Sequence, residues 1–266
     1  MNNKITVNTL KSMKDKSEKI TMLTAYDHVM ARQLDESGID IILVGDSVGN
    51  VLLGYKNTIP VTMDDMIHHC KAVVRGVDNS FVVGDMPFMS YQVSREEAVK
   101  NAGRFLKESG VEAVKLEGGT EVRDIVRSKT DAGIPVMAHL GLTPQSVHKL
   151  GGYGLRGASN QEAEIIMESA KALESAGAFA IILEKIPSSL SERITKEVSI
   201  PTIGIGAGPM CDGQVLVTHD MLGIFEGFKP KFVKRYGEVG KEMKKCYAEY
   251  IKEVKDGSFP SDEYSY

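Results

Sequence analysis

The sequence contains no tryptophan, only 3 cysteines and no long apolar run. Cys70, Cys211 and Cys246 form no CxxC pair, so their spacing indicates neither a disulfide framework nor a zinc ribbon, and a reducing compartment is expected. No apolar stretch approaches the roughly 20 residues that cross a bilayer. Residues 1–20 also lack the apolar core of a signal peptide. We therefore expect a cytoplasmic protein with no membrane segment.

The chain also lacks a large excess of either charge. Its 32 Lys and Arg residues and 36 Asp and Glu residues give a formal net charge of −4. This balance argues against nucleic acid or an anionic membrane as a partner. The remaining composition is ordinary for a globular protein, with 266 residues of which 42% are hydrophobic and 26% are charged. That length suits one large α/β domain or two small ones.

Eight short apolar runs, rich in β-branched residues, alternate with longer segments of helical period. The runs are continuous, which is typical of strands that are buried on both faces of a parallel sheet. In chain order they cover residues 20–25, 40–45, 81–84, 113–117, 135–141, 180–185, 201–206 and, more weakly, 214–217. The pattern predicts a series of strand–helix units.

Strand–helix alternation fits either a doubly wound sheet or a closed barrel. Polar side chains stand near the C-terminal ends of several different strands, whereas a doubly wound sheet would collect them at one switch point. A chain of about 250 residues with close to eight strands also favours the (β/α)8 barrel. We predict a (β/α)8 TIM barrel as a single domain over residues 1–266, with a polar N-terminal segment and a charged helical C-terminal tail.

Signals for helix ends lie between the predicted strands. Two segments have the spacing of a capping box, Ser94 with Glu97 and Ser159 with Glu162, and Thr62 with Asp65 is a weaker example. Two long connections, residues 47–62 and 141–158, leave the C-terminal ends of predicted strands. Barrel enzymes build their substrate loops at these ends.

Two of the predicted strands end on Gly-Asp, at Asp46 and at Asp85. A buried carboxylate needs a compensating partner, and two carboxylates suit Mg²⁺, which takes its other ligands from water and substrate. Alternatively, each Asp only caps the helix or turn that follows it. Glu117, at the end of a third strand, favours the metal.

Three further strands carry candidate residues. Lys115 and Glu117 are two positions apart and so share one face of a strand, as part of a site or as a structural ion pair. His139 lies among apolar residues, where a hydrogen-bonded core histidine is the alternative. Glu184 follows four apolar residues at the end of its strand, a position that suits a general base.

A glycine-rich segment, IGIGAGPMCDG (203–213), begins within the seventh predicted strand and continues beyond it. It does not have the GxGxxG spacing of a dinucleotide site. In barrels a glycine-rich loop at this point often binds phosphate. Alternatively, Gly204, Gly206 and Gly208 only let the backbone approach a ligand closely.

Over nearly its whole length the sequence resembles the ketopantoate hydroxymethyltransferase family. The segments that carry the resemblance are TAYD (24–27), VGDSVGNVLLGY (44–55), GDMPF (84–88), VKLEGG (114–119), AHLGLTPQ (138–145), LEKIP (183–187) and IGIGAGPMCDGQVLV (203–217). The resemblance implies a (β/α)8 barrel that forms cytoplasmic homo-oligomers, decamers in bacterial members. It also implies transfer of a one-carbon unit from 5,10-methylenetetrahydrofolate to 3-methyl-2-oxobutanoate, which gives 2-dehydropantoate for pantothenate biosynthesis.

The resemblance also implies a role for individual positions. The implied Mg²⁺ ligands are Asp46 and Asp85, with Glu117 completing the metal environment. The positions implied to contact the oxo acid are Asp46, Ser47, Asp85, Lys115 and His139. Glu184 is implied to accept the proton. This agrees with the chemistry of the residues, because a metal that binds the oxo acid stabilises the enolate formed when C3 loses its proton.

Two other functions remain open from the sequence. One is another Mg²⁺-dependent barrel that acts on 2-oxo acids, such as a carbon–carbon lyase of the isocitrate lyase or phosphoenolpyruvate mutase type. Such lyases generally carry a reactive Cys in a KKCGH-like motif, which this sequence lacks. The other is a non-catalytic barrel that binds an oxo acid, against which an intact Glu184 argues.

Overall fold

A computed structural model describes residues 4–225 and 230–266 of the chain. Eight parallel strands follow one another around a closed barrel, and β8 pairs back to β1. The strands are β1 (Ile20–Thr24), β2 (Ile41–Val44), β3 (Phe81–Asp85), β4 (Ala113–Glu117), β5 (Val136–Gly141), β6 (Ala180–Glu184), β7 (Thr202–Ile205) and β8 (Gly213–Leu216). The predicted (β/α)8 barrel is confirmed, and each strand end lies within one residue of its prediction.

Helices fill the connections between the strands. They are α1 (Val7–Asp15), α2 (His28–Glu36), α3 (Val48–Val51), α4 (Met63–Val74), α5 (Arg95–Arg104), α6 (Arg123–Asp131), α7 (Val147–Leu150), α8 (Asn160–Ser175), α9 (Ser188–Glu197), α10 (Thr218–Met221) and α11 (Val239–Asp256). A π-helical turn, Phe105–Ser109, extends α5. In the described ranges, no helix combines the length and the apolar character needed to cross a bilayer.

Two of the predicted capping boxes are incomplete in the structure. Thr62 and Asp65 form the complete capping box, in which each side chain bonds to the backbone of the other. Ser94 and Ser159 also cap their helices, but the acid three residues later does not return the bond. For α8 the reason is visible, because the Glu162 carboxylate accepts instead from the Gly157 N–H at 2.8 Å.

The chain divides into two compact units, Met1–Leu216 and Val217–Tyr266, where the sequence predicted one domain with a tail. The division falls where β8, the last strand of the barrel, ends. In the second unit, α11 is the charged helix that was expected in the tail, and nearly all its residues are exposed.

The barrel unit has an outer and an inner apolar core. Side chains of one strand face pack under the helices and include Ile42, Val114 and Leu183. Side chains of the opposite face fill the barrel interior, where they meet Leu10 from α1. Members of this inner core are Met22, Leu43, Val83, Ala113, Met137 and Ile182. Since side chains alternate along a strand, the residues two positions further toward the C-terminal ends also face inward.

One buried lysine of the barrel unit has no charged partner among the described residues. Lys129 in α6 is 0% exposed, and none of the ion pairs found in the described ranges includes it. Its Nζ lies 3.5 Å from the Ile125 carbonyl oxygen of the same helix and 5.9 Å from the centroid of the Tyr91 ring. Burial lowers the pKa of Lys129 to about 7.

Lys129→Met is therefore expected to stabilise the protein. The unfolded chain keeps the ordinary lysine pKa, so between pH 7 and about pH 10.5 it binds more protons than the fold does, and stability rises with pH across that window. Below pH 7 the fold carries the full penalty of a buried charge. At pH 6.5 the substitution should raise the free energy of unfolding by a few kcal/mol, and this gain should shrink as the pH rises above 7 and be largely lost by about pH 10.

Denaturant titrations at pH 6.5 and pH 10 check this expectation. The matched control is Lys100→Met, which replaces an exposed lysine of α5. A Lys129→Met protein that is less stable than wild type at pH 6.5 would contradict the expectation.

Candidate active site

The polar side chains predicted at the strand ends converge at one end of the barrel. Asp46 follows β2, Asp85 ends β3, Lys115 and Glu117 belong to β4, His139 belongs to β5, and Glu184 ends β6. All are buried except Glu184, whose side chain is 15% exposed. They form a continuous line of contacts that continues the inward face of the barrel beyond its apolar core.

An ion pair between Lys115 and Asp85 occupies the centre of this line. The Lys115 Nζ donates to both carboxylate oxygens of Asp85, at 2.7 and 2.8 Å. Glu117 Oε1 lies 3.6 Å from the same nitrogen. Burial by itself lowers the pKa of Lys115, but the charges of these two carboxylates and of Asp46 outweigh burial and raise the pKa above its usual value. Lys115 is thus a buried cation at neutral pH.

Asp46 stands beside Asp85 in a desolvated position. The Asp46 backbone N–H donates to Asp85 Oδ2 at 3.1 Å. Burial and the neighbouring charge of Asp85 raise the pKa of Asp46 well above its usual value. Burial also raises the pKa of Asp85, against the opposing effect of Lys115. Two carboxylates have been brought together where water screens neither.

His139 connects the two remaining carboxylates. Its Nδ1 lies 3.5 Å from Glu117 Oε1 and its Nε2 lies 3.2 Å from Glu184 Oε2, which are ion-pair contacts without the alignment of a hydrogen bond. Burial and Lys115 lower the pKa of His139, but Glu117 and Glu184 outweigh them and raise it to about 9. The ring is therefore a cation between two anions, and it orients Glu184.

The carboxylates at this end of the barrel offer oxygen ligands to a cation such as Mg²⁺. In the described part of the chain, no three His, Cys, Asp or Glu side chains are arranged to hold one cation on their own. Mg²⁺ commonly binds through one or two carboxylates and completes its shell with water and substrate. Asp46 and Asp85 supply two adjacent carboxylates, and the nearby Glu117 Oε1 accepts no hydrogen bond within the described residues. The residues present fit a divalent cation of that kind.

Comparison with known proteins decides the family. The family model for ketopantoate hydroxymethyltransferase matches residues 4–262. The chain belongs to this family. The 3-methyl-2-oxobutanoate hydroxymethyltransferase of Syntrophus aciditrophicus (strain SB) is 57% identical over 263 residues, 99% of this chain and 97% of the relative. That of Clostridium botulinum (strain 657 / Type Ba4) is 58% identical over 261 residues, 98% and 95% of the two chains.

This ketopantoate hydroxymethyltransferase family member is also similar to solved barrels of other families. One is the phosphoenolpyruvate phosphomutase of Streptomyces platensis subsp. rosaceus, with a TM-score of 0.64, 14% identity, and coverage of 94% of this chain and 88% of that chain. Another is phosphonopyruvate hydrolase in complex with oxalate and Mg²⁺, with a TM-score of 0.63, 13% identity, and coverage of 97% and 92%. At this identity the likeness shows the fold alone.

Two buried residues that contact the predicted side chains were not themselves predicted. Ser47, which was predicted, precedes α3 and its hydroxyl lies 2.7 Å from the hydroxyl of the buried Tyr26. Gln145 and Tyr91 are both buried and bond directly to the predicted residues. The sequence signals for Gln145 were its position just after β5 and its place in the segment AHLGLTPQ (138–145), and Tyr91 gave none.

The connection 141–158 is attached to the residue that follows Glu184. Lys185 has a φ of 48°, a left-handed conformation that is rare for a residue with a side chain. Its Nζ bonds to the Tyr153 carbonyl oxygen, and its own carbonyl accepts from the Arg156 N–H at 3.0 Å. Burial, then the charges of Asp46 and Glu184, raise the pKa of Tyr153. The connection thus reaches the mouth of the site.

The glycine-rich segment after β7 needs its glycines for structural reasons. Gly206 and Gly208 have φ values of 64° and 82°. A Cβ on Gly208 would overlap Ser188 at the start of α9, and one on Gly204 would press against Cys211. Phosphate binding by this loop stays a prediction. Burial raises the pKa of Cys211, so this thiol is not an activated nucleophile.

Proposed function

We propose that the protein transfers a hydroxymethyl group from 5,10-methylenetetrahydrofolate to 3-methyl-2-oxobutanoate and so makes 2-dehydropantoate for pantothenate biosynthesis. Relatives at 57% and 58% identity bear the name of this transferase. The observation that carries the proposal is the line from Asp46 to Glu184. It places paired carboxylates, a buried cation and a carboxylate oriented by His139 at one end of a barrel.

Asp46 and Asp85 would hold Mg²⁺, with Glu117 completing its environment. The bound ion would supply Lewis-acid stabilisation for the negative charge that develops on the 2-oxo oxygen of the substrate. The chain supplies the surroundings for this charge, because the site is buried and electrostatic interactions are stronger there than in water.

Lys115 binds the carboxylate of the oxo acid. Its ammonium group uses two hydrogens on Asp85, which leaves a further N–H for the substrate. Asp46 and Ser47 contact the oxo acid at the end of β2. His139 borders it from β5. These contacts hold C3 of the substrate toward Glu184, on the next strand.

Glu184 is the general base. It accepts the proton from C3, and the C3–H electron pair is delocalised onto the 2-oxo oxygen. His139 Nε2 lies 3.2 Å from the Glu184 carboxylate, and the attraction between them keeps this carboxylate beside the ring. C3 then forms a bond to the methylene carbon of the folate, and both C–N bonds of that carbon break. Water supplies the hydroxyl group. Its other proton and the proton taken from C3 end on the two nitrogens of tetrahydrofolate, which leaves. No step needs a thiol or a covalent enzyme intermediate.

The structure adds no support for the two alternative functions, a lyase-type barrel and a barrel that only binds an oxo acid. The lyase-type and mutase-type barrels share only the fold at 13–14% identity. A barrel that only binds an oxo acid would have no use for a Glu184–His139 pair at its mouth. Cytoplasmic location and a homo-oligomer, a decamer in particular, are proposed from the family resemblance.

One assay tests the proposed function. The purified protein is incubated with 3-methyl-2-oxobutanoate, with and without methylenetetrahydrofolate and with and without Mg²⁺, and 2-dehydropantoate is measured. We expect 2-dehydropantoate only when methylenetetrahydrofolate and Mg²⁺ are both present. Product without folate would refute the proposed donor. Product that persists after chelation of divalent ions would refute the metal, and the absence of product in the complete mixture would refute the proposal.

A further inference from the structure

Gln145 lies outside the predicted site but bonds to three parts of it. It belongs to the 3-10 turn Pro144–Ser146 that follows β5, and it is 3% exposed. Its backbone N–H donates to Glu117 Oε2 at 3.0 Å. Its side-chain Nε2 donates to Asp46 Oδ2 at 3.0 Å and to the Met86 carbonyl oxygen at 2.9 Å. One residue after β5 therefore holds groups that belong to the ends of β2, β3 and β4.

The direction of the Gln145 amide is fixed by its partners. Its Oε1 accepts from the hydroxyl of Tyr91 at 2.9 Å, and this buried hydroxyl accepts in turn from the Glu117 N–H at 3.2 Å. The reversed amide would place its oxygen against the Asp46 carboxylate and a carbonyl group. An ionised carboxylate and a carbonyl can only accept. The NH2 group is thus held toward Asp46.

This hydrogen bond matters because Asp46 receives little other support. Lys115, the buried cation of the site, gives both of its close hydrogen bonds to Asp85. Of the hydrogen bonds found in the described ranges, the one from Gln145 is the only side-chain bond to the Asp46 carboxylate. It leaves the charge of the site unchanged, since an amide is neutral. It also fixes the rotation of the carboxylate.

We infer that Gln145 is a positioning residue that holds the Asp46 carboxylate in the direction needed for a divalent cation, with Tyr91 fixing the amide. The inference deepens the proposed metal-dependent function and rests on it. Gln145 does not touch the reacting atoms. It acts through Asp46, so its loss should change cation binding even when no substrate is present.

The test uses Mn²⁺ as the probe, titrated into the substrate-free protein and followed by electron paramagnetic resonance. Gln145→Met keeps the length of the side chain and removes the amide. Removing the hydrogen-bond partner of a metal ligand typically lowers metal affinity about 10–100-fold, so we expect Gln145→Met to lower the affinity for Mn²⁺ by that factor. The matched control is Gln33→Met, an exposed position of α2 that should bind Mn²⁺ like wild type. Thermal unfolding and circular dichroism show whether each variant is folded.

Tyr91→Phe provides a second test of the role of Gln145, again by the affinity for Mn²⁺. It removes the hydroxyl that orients Gln145 and that also accepts from the Glu117 N–H, and it leaves every group on Asp46 in place. We expect a several-fold loss of Mn²⁺ affinity. The double variant should bind Mn²⁺ no more weakly than Gln145→Met alone, because Tyr91 acts through Gln145. A purely structural role would lower the unfolding temperature of both variants without this non-additive pattern in affinity.

The outcomes separate the two proposals. Wild-type Mn²⁺ affinity in folded Gln145→Met would overturn the role of Gln145 and leave the metal site standing. Absence of Mn²⁺ binding to the wild-type protein would overturn the metal site and this role with it. If Gln145→Met does not fold, Tyr91→Phe decides, since a several-fold loss supports the role and unchanged affinity overturns it.

Discussion

Glu184→Gln is expected to abolish both hydroxymethyl transfer and the exchange of the C3 hydrogen of 3-methyl-2-oxobutanoate for deuterium in D₂O. Loss of the C3 proton precedes carbon–carbon bond formation, so exchange without folate isolates the first half of the reaction. Gln keeps the size of Glu but cannot accept the proton. A general base contributes about 10²–10⁴-fold in rate, and we expect a loss on that scale. Proton nuclear magnetic resonance of the C3 signal, with Mg²⁺ present, measures the exchange rate.

Binding of Mn²⁺ and of the oxo acid must be measured together with hydrogen exchange. Loss of exchange alone does not distinguish a missing base from a failure to bind. The proposed metal ligands lie on β2 and β3, so Glu184→Gln should still bind Mn²⁺ and the oxo acid. Glu168→Gln, an exposed position of α8, is the control and should exchange at the wild-type rate. Wild-type exchange in Glu184→Gln would show that another group is the base. Joint loss of exchange and binding would make Glu184 a binding or structural residue.

Asp85→Asn is expected to reduce both activity and stability. The substitution removes one of the two proposed metal ligands. Removing a group that only hydrogen-bonds to a metal ligand typically lowers metal affinity about 10–100-fold. Removing a ligand itself should therefore lower the affinity for Mn²⁺ by more than that. It also leaves the ammonium of Lys115 without the carboxylate that accepts both its bonds. Breaking a buried pair on one side typically costs about 3–5 kcal/mol, so the free energy of unfolding should fall by a similar amount.

The double variant Asp85→Asn with Lys115→Met separates these two effects. It removes the unpaired charge, so denaturant titration should show stability recovering toward wild type. Turnover should stay lost, because neither the ligand nor the cation for the substrate returns. If the double variant were as unstable as Asp85→Asn, the unpaired charge would not be the cause. Full turnover of Asp85→Asn in chelator-treated buffer would refute the metal site.

The strands could be predicted closely because most are buried on both faces and leave continuous apolar runs in the sequence. The eighth was the weakest prediction because β8 begins with Gly213 and the exposed Gln214, which leaves only two apolar residues in the strand. The capping boxes were predicted less well. Spacing places an acid near a helix start, but a competing donor, such as the Gly157 N–H for Glu162, decides which group it binds.

The convergence of these side chains at one end of the barrel was predictable, and their pairing was not. Two-residue spacing suggested Lys115 with Glu117, whereas the closest partner of Lys115 is Asp85 on the neighbouring strand. That contact follows from strand register, which places Lys115 opposite Asp85. Gln145 reaches Asp46 across 99 positions of the chain, a distance over which no local periodicity operates. Such contacts exist only once the barrel has closed.

The apolar plug inside the barrel makes the site a dead end. Leu10, Met22 and Val83 are 0–1% exposed beneath the polar line, so the described residues leave no route through the barrel. Whatever binds at the polar line must then enter and leave at the same end of the barrel, past the C-terminal ends of the strands. A product formed there leaves by the path along which its substrate arrived.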